Sequence, residues 1–159
     1  MNRNIYRLLK ILHLIGLSLF LGSIFGHIVA SVLGGAPEAS NEAAFLNSRM
    51  HITAATRYLT MPGLLLTLAT GMGMWLQSWS LKRDVWLHAH VFAAVLIVLL
   101  AFFVIVPAGS EMLRLAQQGV VEHAGQIKAA HKVEDMAGAA NILLAVLATA
   151  LGVVKPKWG

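Results

Sequence analysis

Cysteine is absent from the 159 residues, which excludes disulfides, thiolate metal ligands, iron–sulfur clusters and covalent c-type haem attachment. Charge is nearly as scarce. Only 12% of residues are Asp, Glu, Lys or Arg, roughly half the fraction of an ordinary soluble domain. The scarcity is patterned: none of these four types occurs between Ile11 and Pro37, Tyr58 and Leu81, Val85 and Ser110, or Met136 and Val154. G-x-S-x-G, H-E-x-x-H and P-loop motifs are missing too, so the common hydrolase and nucleotide-binding constellations are excluded. What fills the chain instead is apolar, with 58% hydrophobic residues and a mean hydropathy of +0.73.

Each charge-free window supplies the roughly 20 apolar residues needed to cross a bilayer core. Helices are the natural spanning element, because each satisfies its own backbone hydrogen bonds inside lipid. A soluble helical protein would carry charged stripes on its outward faces, and these windows carry none. The sequence therefore predicts an all-α, integral membrane four-helix bundle, residues 1–159 forming one domain. The transmembrane helices are expected over about 5–33, 58–79, 85–106 and 136–154. Gly34-Gly35-Ala36-Pro37 is the stop after helix 1, and glycine followed by proline is the usual signal. Pro62 is expected to kink helix 2 and Pro107 with Gly109 to end helix 3. Glu111 to Glu134 reads as an amphipathic helical segment outside the bilayer, anchored by Met112, Leu113, Leu115, Val120, Val121 and Ile127. No internal repeat is evident.

The net charge of +5 points to topology rather than to nucleic acid. With alternating helices, Arg3, Arg7, Lys10, Lys82, Arg83, Lys155 and Lys157 share one side with Asp84 as its only acid. Arg49, Arg57, Arg114, Lys128 and Lys132 share the other with six acids. Counting cations near helix ends places both termini in the cytoplasm, in a bacterial inner membrane. Trp75, Trp79, Trp86 and Trp158 fall at that same side, as an interfacial belt would. The basic start and apolar run are read as a retained span rather than a signal peptide, since the run is long and lacks an A-x-A site.

Histidine is the abundant ionisable residue, with seven copies. Ionisable groups inside a membrane face the bundle interior and need a partner, so they are functional candidates by default. His13 and His27 in helix 1 are separated by fourteen positions, which returns to within roughly 40° of the same face at a spacing of about 21 Å. That arrangement suits two stacked planar cofactors, as in the bundle helices of di-haem b cytochromes, which the pair resembles in that respect only. Haem iron takes one or two axial imidazoles in a flat apolar slot. Helix 3 offers His88 and His90, of which only one can face inward, since two residues turn a helix by roughly 200°. His90 matches His13 in depth. Gly71, Met72, Gly73 and Met74 of helix 2 lie at this level, where glycines let a macrocycle approach the backbone and Met74 packs on the ring or ligates. The partner of His27 is sought among His51 and His131. Arg57 and Lys132 are expected to pair with haem propionates by charge-assisted bonds. The plainer alternative is that each histidine bonds a neighbouring helix carbonyl, worth about 1 kcal/mol in a membrane.

An ordered set of short motifs adds a resemblance. Leu9-Lys10-Ile11-Leu12-His13-Leu14-Ile15-Gly16, Met61-Pro62-Gly63 with Thr67 and Gly71, Trp86-Leu87-His88, and Val153-Val154-Lys155-Pro156 together resemble a group of small bacterial four-helix membrane proteins. One branch is an uncharacterised family with an L-H-x-x-G opening and a V-K-P ending. Another is the HemJ-type protoporphyrinogen IX oxidase, and CopD-type copper proteins share a comparable opening. The resemblance implies a haem-binding membrane oxidoreductase, with His13 and His88 as carried-over ligands. The chain departs from the HemJ pattern in holding His90 where that pattern has Lys, and throughout Phe20–Val32.

The expectation is thus a membrane protein with haem b, one or two per chain, that transfers electrons to or from a quinone or another small redox substrate. A HemJ-like porphyrinogen oxidase and a non-redox copper-handling protein are the alternatives. Beyond lipid and haem, a homo-oligomer is an expected partnership, with Gly138, Ala139, Ala140 and Ala145 of helix 4 as a contact face.

Overall fold

A computed structural model describes residues 3–78 and 85–156. It is helical throughout, with four stretches long and apolar enough to cross a membrane. Helix α1 spans Arg3–Gly34, α2 Glu42–Ala55, α3 Met61–Ser78, α4 Val85–Leu100, α5 Val106–Gln118 and α6 Ala124–Val154. Both described chain ends lie at one end of the bundle, here the terminal end; the opposite end is the cap. Trp79, Lys82, Arg83, Asp84, Lys157 and Trp158 lie outside the described residues.

Helix α1 runs the length of its uncharged sequence and stops at Gly34. Gly35 adopts φ +67°, and its N–H reaches back to the Ser31 carbonyl at 3.3 Å. That left-handed turn favours glycine. Helix 3 runs past its expected end because Pro107 does not stop it, and helix 2 reaches back beyond Tyr58 to Glu42. A helical proline lacks its N–H and crowds the carbonyl four residues back, which here belongs to Tyr58 for Pro62 and Phe103 for Pro107. Each of those carbonyls sits in a π turn, Thr56–Thr60 or Ala101–Ile105. The extra residue widens the turn and accommodates the ring. Thus α2 continues into α3, and α4 into α5.

The packing unit is a helical hairpin. Helix α1 packs along α2 and α3, while α6 packs along α4 and α5, and the hairpins join at the cap where α2 meets α5. Gly16 and Gly63 bring α1 and α3 into backbone contact: a Cβ on Gly63 would lie 2.7 Å from the Phe20 nitrogen and 2.9 Å from the Gly16 carbonyl. Phe20, Leu64, Ala93, Ile97, Ala101, Ala145 and Ala148 form the core between hairpins. Large apolar side chains such as Phe25, Val32, Phe103 and Leu143 point outward, as expected of a surface whose solvent is lipid.

The segment from Glu111 to Glu134 is not one amphipathic helix. It breaks at Gly119, whose φ of +132° allows the chain to turn between α5 and α6. Its apolar residues are more deeply buried than an interfacial helix would leave them. Met112, Leu115, Val120 and Ile127 join Phe45 and Ala116 in a second, closed core at the cap. Arg49 is buried beside it at 2% exposure, bonded to Glu134 at 2.7 Å. The Glu42 carboxylate accepts from the Val120 N–H at 3.1 Å and holds the turn to α2.

Candidate functional site

Two histidines on different hairpins carry the most specific geometry of the membrane-spanning part. On α1, His13 Nδ1 lies 2.9 Å from the Thr67 carbonyl and 3.2 Å from Thr70 Oγ1, both on α3. On α4, His90 Nδ1 lies 2.8 Å from the Ala148 carbonyl of α6. A carbonyl only accepts, so each Nδ1 carries the proton and donates, which makes Nε2 the nitrogen with the lone pair. A metal-binding histidine is oriented in just this way, by donating its other N–H to a backbone carbonyl.

The two anchors have the same construction. Beneath His13 lies Gly71, whose Cβ would come 3.2 Å from the ring; beneath His90 lies Gly152, at 3.6 Å. In both cases the glycine follows the accepting carbonyl by four residues, Thr67 to Gly71 and Ala148 to Gly152. Residues three and seven positions after each histidine are buried: Gly16 and Phe20 on α1, Ala93 and Ile97 on α4. The hairpins therefore repeat one local design in the same register. Sequence reading shows no repeat because the shared features are a backbone carbonyl and a small residue, which different residue types supply equally well.

Packing within each hairpin is close, whereas the hairpins meet one another chiefly where α2 meets α5. Phe20 and Ile97, two turns further in, fill the seam with side chains. Trp86 meets the His90 ring edge-on at 6.4 Å between centroids, and Lys155 Nζ lies 5.6 Å above the Trp86 ring. Lys155 adopts φ 47° where α6 ends, and its N–H bonds the Leu151 carbonyl at 3.0 Å. The Trp86-Leu87-His88 and Val153-Val154-Lys155-Pro156 motifs are thereby brought together around His90.

The other sequence candidates are placed elsewhere. His88 is exposed on the outward side of α4, so His90 is the inward member of that pair. Met74 is half-buried on α3 and Met72 is 50% exposed. Arg57 lies in the π turn with its guanidinium over Tyr58 at 5.7 Å, about 15 Å along the axis from the His13 level at 1.5 Å per residue. His51 is exposed on α2. His131 Nε2 is 3.3 Å from Ser31 Oγ and 3.7 Å from the Asp135 carboxylate. Neither His51 nor His131 is brought to His27. That ring instead faces a cavity of about 40 Å³ lined by Phe20, Thr56, Thr60, Ala101, Ile105 and Asn141, among others. Such a space takes water rather than a macrocycle, which needs a site of roughly 300 Å³ or more. No cluster of three or more His, Cys, Asp or Glu suited to a metal ion occurs among the described residues.

Three contributors are not visible in a search for histidines and charges. Thr67 and Ala148 act through their carbonyls, which have no residue signature. Asn141, by contrast, is the only amide side chain in the apolar part of α6 and is 3% exposed, so its polarity in that window is a usable signal. Neither a curated protein nor a solved structure matches the chain, and the relation to HemJ-type and CopD-type proteins has no support beyond the motifs quoted above. The family model described as predicted integral membrane protein (DUF2269) matches residues 7–156, and the chain belongs to that family.

Proposed function

We propose that this protein is a membrane b-type haem protein for electron transfer, with His13 and His90 as the axial pair of one haem in the seam between the two hairpins. The observation that carries the reading is the paired anchor: two imidazoles on opposite hairpins, each bonded through Nδ1 to a neighbouring carbonyl. The donor set fits the group, because haem b iron accepts two neutral imidazole nitrogens and no thiolate. Gly71 and Gly152 keep both rings against their neighbouring helices, so each is held in one orientation without a bulky side chain crowding it.

The bound haem would supply one-electron chemistry, and the protein its potential and its surroundings. His13 and His90 would hold the iron through Nε2, and the Nδ1 protons they donate to carbonyls would make them more basic ligands. Trp86, with Lys155 above it, closes the seam edge against the headgroup region. Arg7 and Lys10 on α1 and Lys155 after α6 are among the cations of that end, suited by charge to meet propionates. Quinones and small redox carriers are the partner class suited to a centre inside lipid, and both termini are assigned to the cytoplasm of a bacterial cell. The water-sized cavity at His27 supports one haem per chain over two. HemJ-like porphyrinogen oxidation and copper handling are the competing readings. The inward placement of His90, rather than of the motif-derived His88, favours electron transfer.

The test is an absorption spectrum of the detergent-purified protein, air-oxidised and then dithionite-reduced, with haem and protein quantified on one sample. The expected result is a haem b spectrum at a ratio near one, retained in His27→Ala and His88→Ala and lost in His13→Ala and His90→Ala. Protein that stays colourless when made with ample haem overturns the proposal; copper in that colourless protein supports the metal-handling alternative.

A further inference from the structure

We infer that the cavity between His27 and Asn141 is a hydrated polar site inside the membrane-spanning bundle, with water as its ligand. It stands apart from the His13–His90 seam and holds whether or not that seam binds haem.

Three observations meet at this place. The first is chemical. Asn141 is 3% exposed, and its Oδ1 has no hydrogen-bond partner; His27 Nε2 is buried and equally unpartnered. Both line the cavity. Inside a bilayer such groups do not stay unpaired without a substantial penalty. A bridging water can donate to Asn141 Oδ1 and use its other hydrogen or its lone pair at His27, whichever tautomer the ring holds. The second is space. At about 40 Å³, the cavity admits roughly three waters, taking about 10–15 Å³ for each. A site that is polar and roomy enough is filled; an apolar one would stay dry.

The third is the backbone. Both π turns of the chain border this cavity, Thr56–Thr60 with Thr56 and Thr60, and Ala101–Ile105 with its two end residues. A π turn widens a helix and loosens its carbonyls, and such turns occur frequently at functional sites. The hydroxyls here have their donors committed: Thr56 Oγ1 donates to the Ile52 carbonyl at 2.8 Å, and Thr60 Oγ1 is 2.9 Å from Ser23 Oγ. Their oxygens still accept, so the wall offers water additional acceptors.

Water-edited solid-state NMR on protein labelled at His and Asn, in lipid bilayers, tests the site. The expected result is magnetisation transfer from water to the His27 ring and the Asn141 amide. Asn141→Leu, which fills the cavity with carbon, should abolish transfer to His27 while leaving that to the exposed His51 unchanged. A dry His27 in the wild-type protein overturns the proposal and needs no variant.

Discussion

Replacing Gly63 by alanine should separate α1 from α3 and release His13 from its anchor. A Cβ on Gly63 would lie 2.7 Å from the Phe20 nitrogen and 2.9 Å from the Gly16 carbonyl, where ordinary contact begins at 3.4 Å. Both obstacles are backbone, so no side-chain rotation relieves them. The helices must part by about 0.5–0.7 Å, the kind of overpacking that costs about 1–3 kcal/mol. Thr67 is one turn along α3 from Gly63, and its carbonyl accepts from His13 at 2.9 Å. Carried by the same displacement, that bond lengthens to about 3.5 Å and ceases to be a good one, losing about a further 1 kcal/mol. Opposing this is the helix propensity of alanine, worth up to about 1 kcal/mol over glycine.

Gly22→Ala isolates the propensity term, because a Cβ at Gly22 meets nothing within 4 Å. Reversible unfolding in mixed lipid–SDS micelles, followed by far-UV circular dichroism, gives both stabilities on one scale. Gly22→Ala should be neutral or slightly stabilising, and Gly63→Ala lower than it by about 3 kcal/mol. The 15N signal of His13 Nδ1 should shift in Gly63→Ala only. Two variants within about 0.5 kcal/mol of each other, the usual scatter of an unremarkable substitution, would refute the close-contact argument.

Arg49→Met should leave the Glu134 carboxylate without its cation in a mostly buried place and lower stability by about 3 kcal/mol in the same micelle assay; combining it with Glu134→Leu should restore much of that loss. Gly119→Ala puts a Cβ on a residue at φ +132° and should cost about 1–3 kcal/mol, read as faster proteolysis of the cap between α5 and α6. Arg114→Ala, which removes an ion pair to Glu111 exposed at the cap, should leave the unfolding midpoint unchanged at ordinary salt. Trp86→Leu, removing the ring between Lys155 and His90, should shift the His90 15N signals and leave those of His13 in place, as measured by NMR in bilayers.

The spans were legible because exclusion of charge is a one-dimensional property, and the four uncharged windows coincide with four long helices. Helix ends were less so. Pro62 and Pro107 carry the usual signals for a bend or a stop, yet a π turn cancels each of them, and that compensation depends on which turn the neighbouring helices allow to widen. The cap was misjudged for a related reason. Met112, Leu115, Val120 and Ile127 were read as anchors of one interfacial helix, but the turn at Gly119 folds them together and Phe45 comes from α2 to close a core around them. Depth matching along helices singled out His90 over His88, and His90 is the one that turns inward, to Ala148 of α6. It gave no indication that Thr67 and Ala148 supply the anchors.

The two histidine systems differ in a way that follows from how each half of the bundle is held. At the cap, α2, α5 and the start of α6 enclose a fully buried core, and its polar groups are packed so closely that only a water-sized space is left beside His27. The cap, where α2 meets α5, is the hinge that joins the hairpins, and the haem proposed for the seam opposite would bridge them. Binding across that seam would tie α1–α3 to α4–α6 and stabilise the native state by mass action. Gain of stability on loading should thus vanish in His13→Ala and His90→Ala together, since each removes one side of the same bridge, and should persist in His27→Ala, which lies within the hinge.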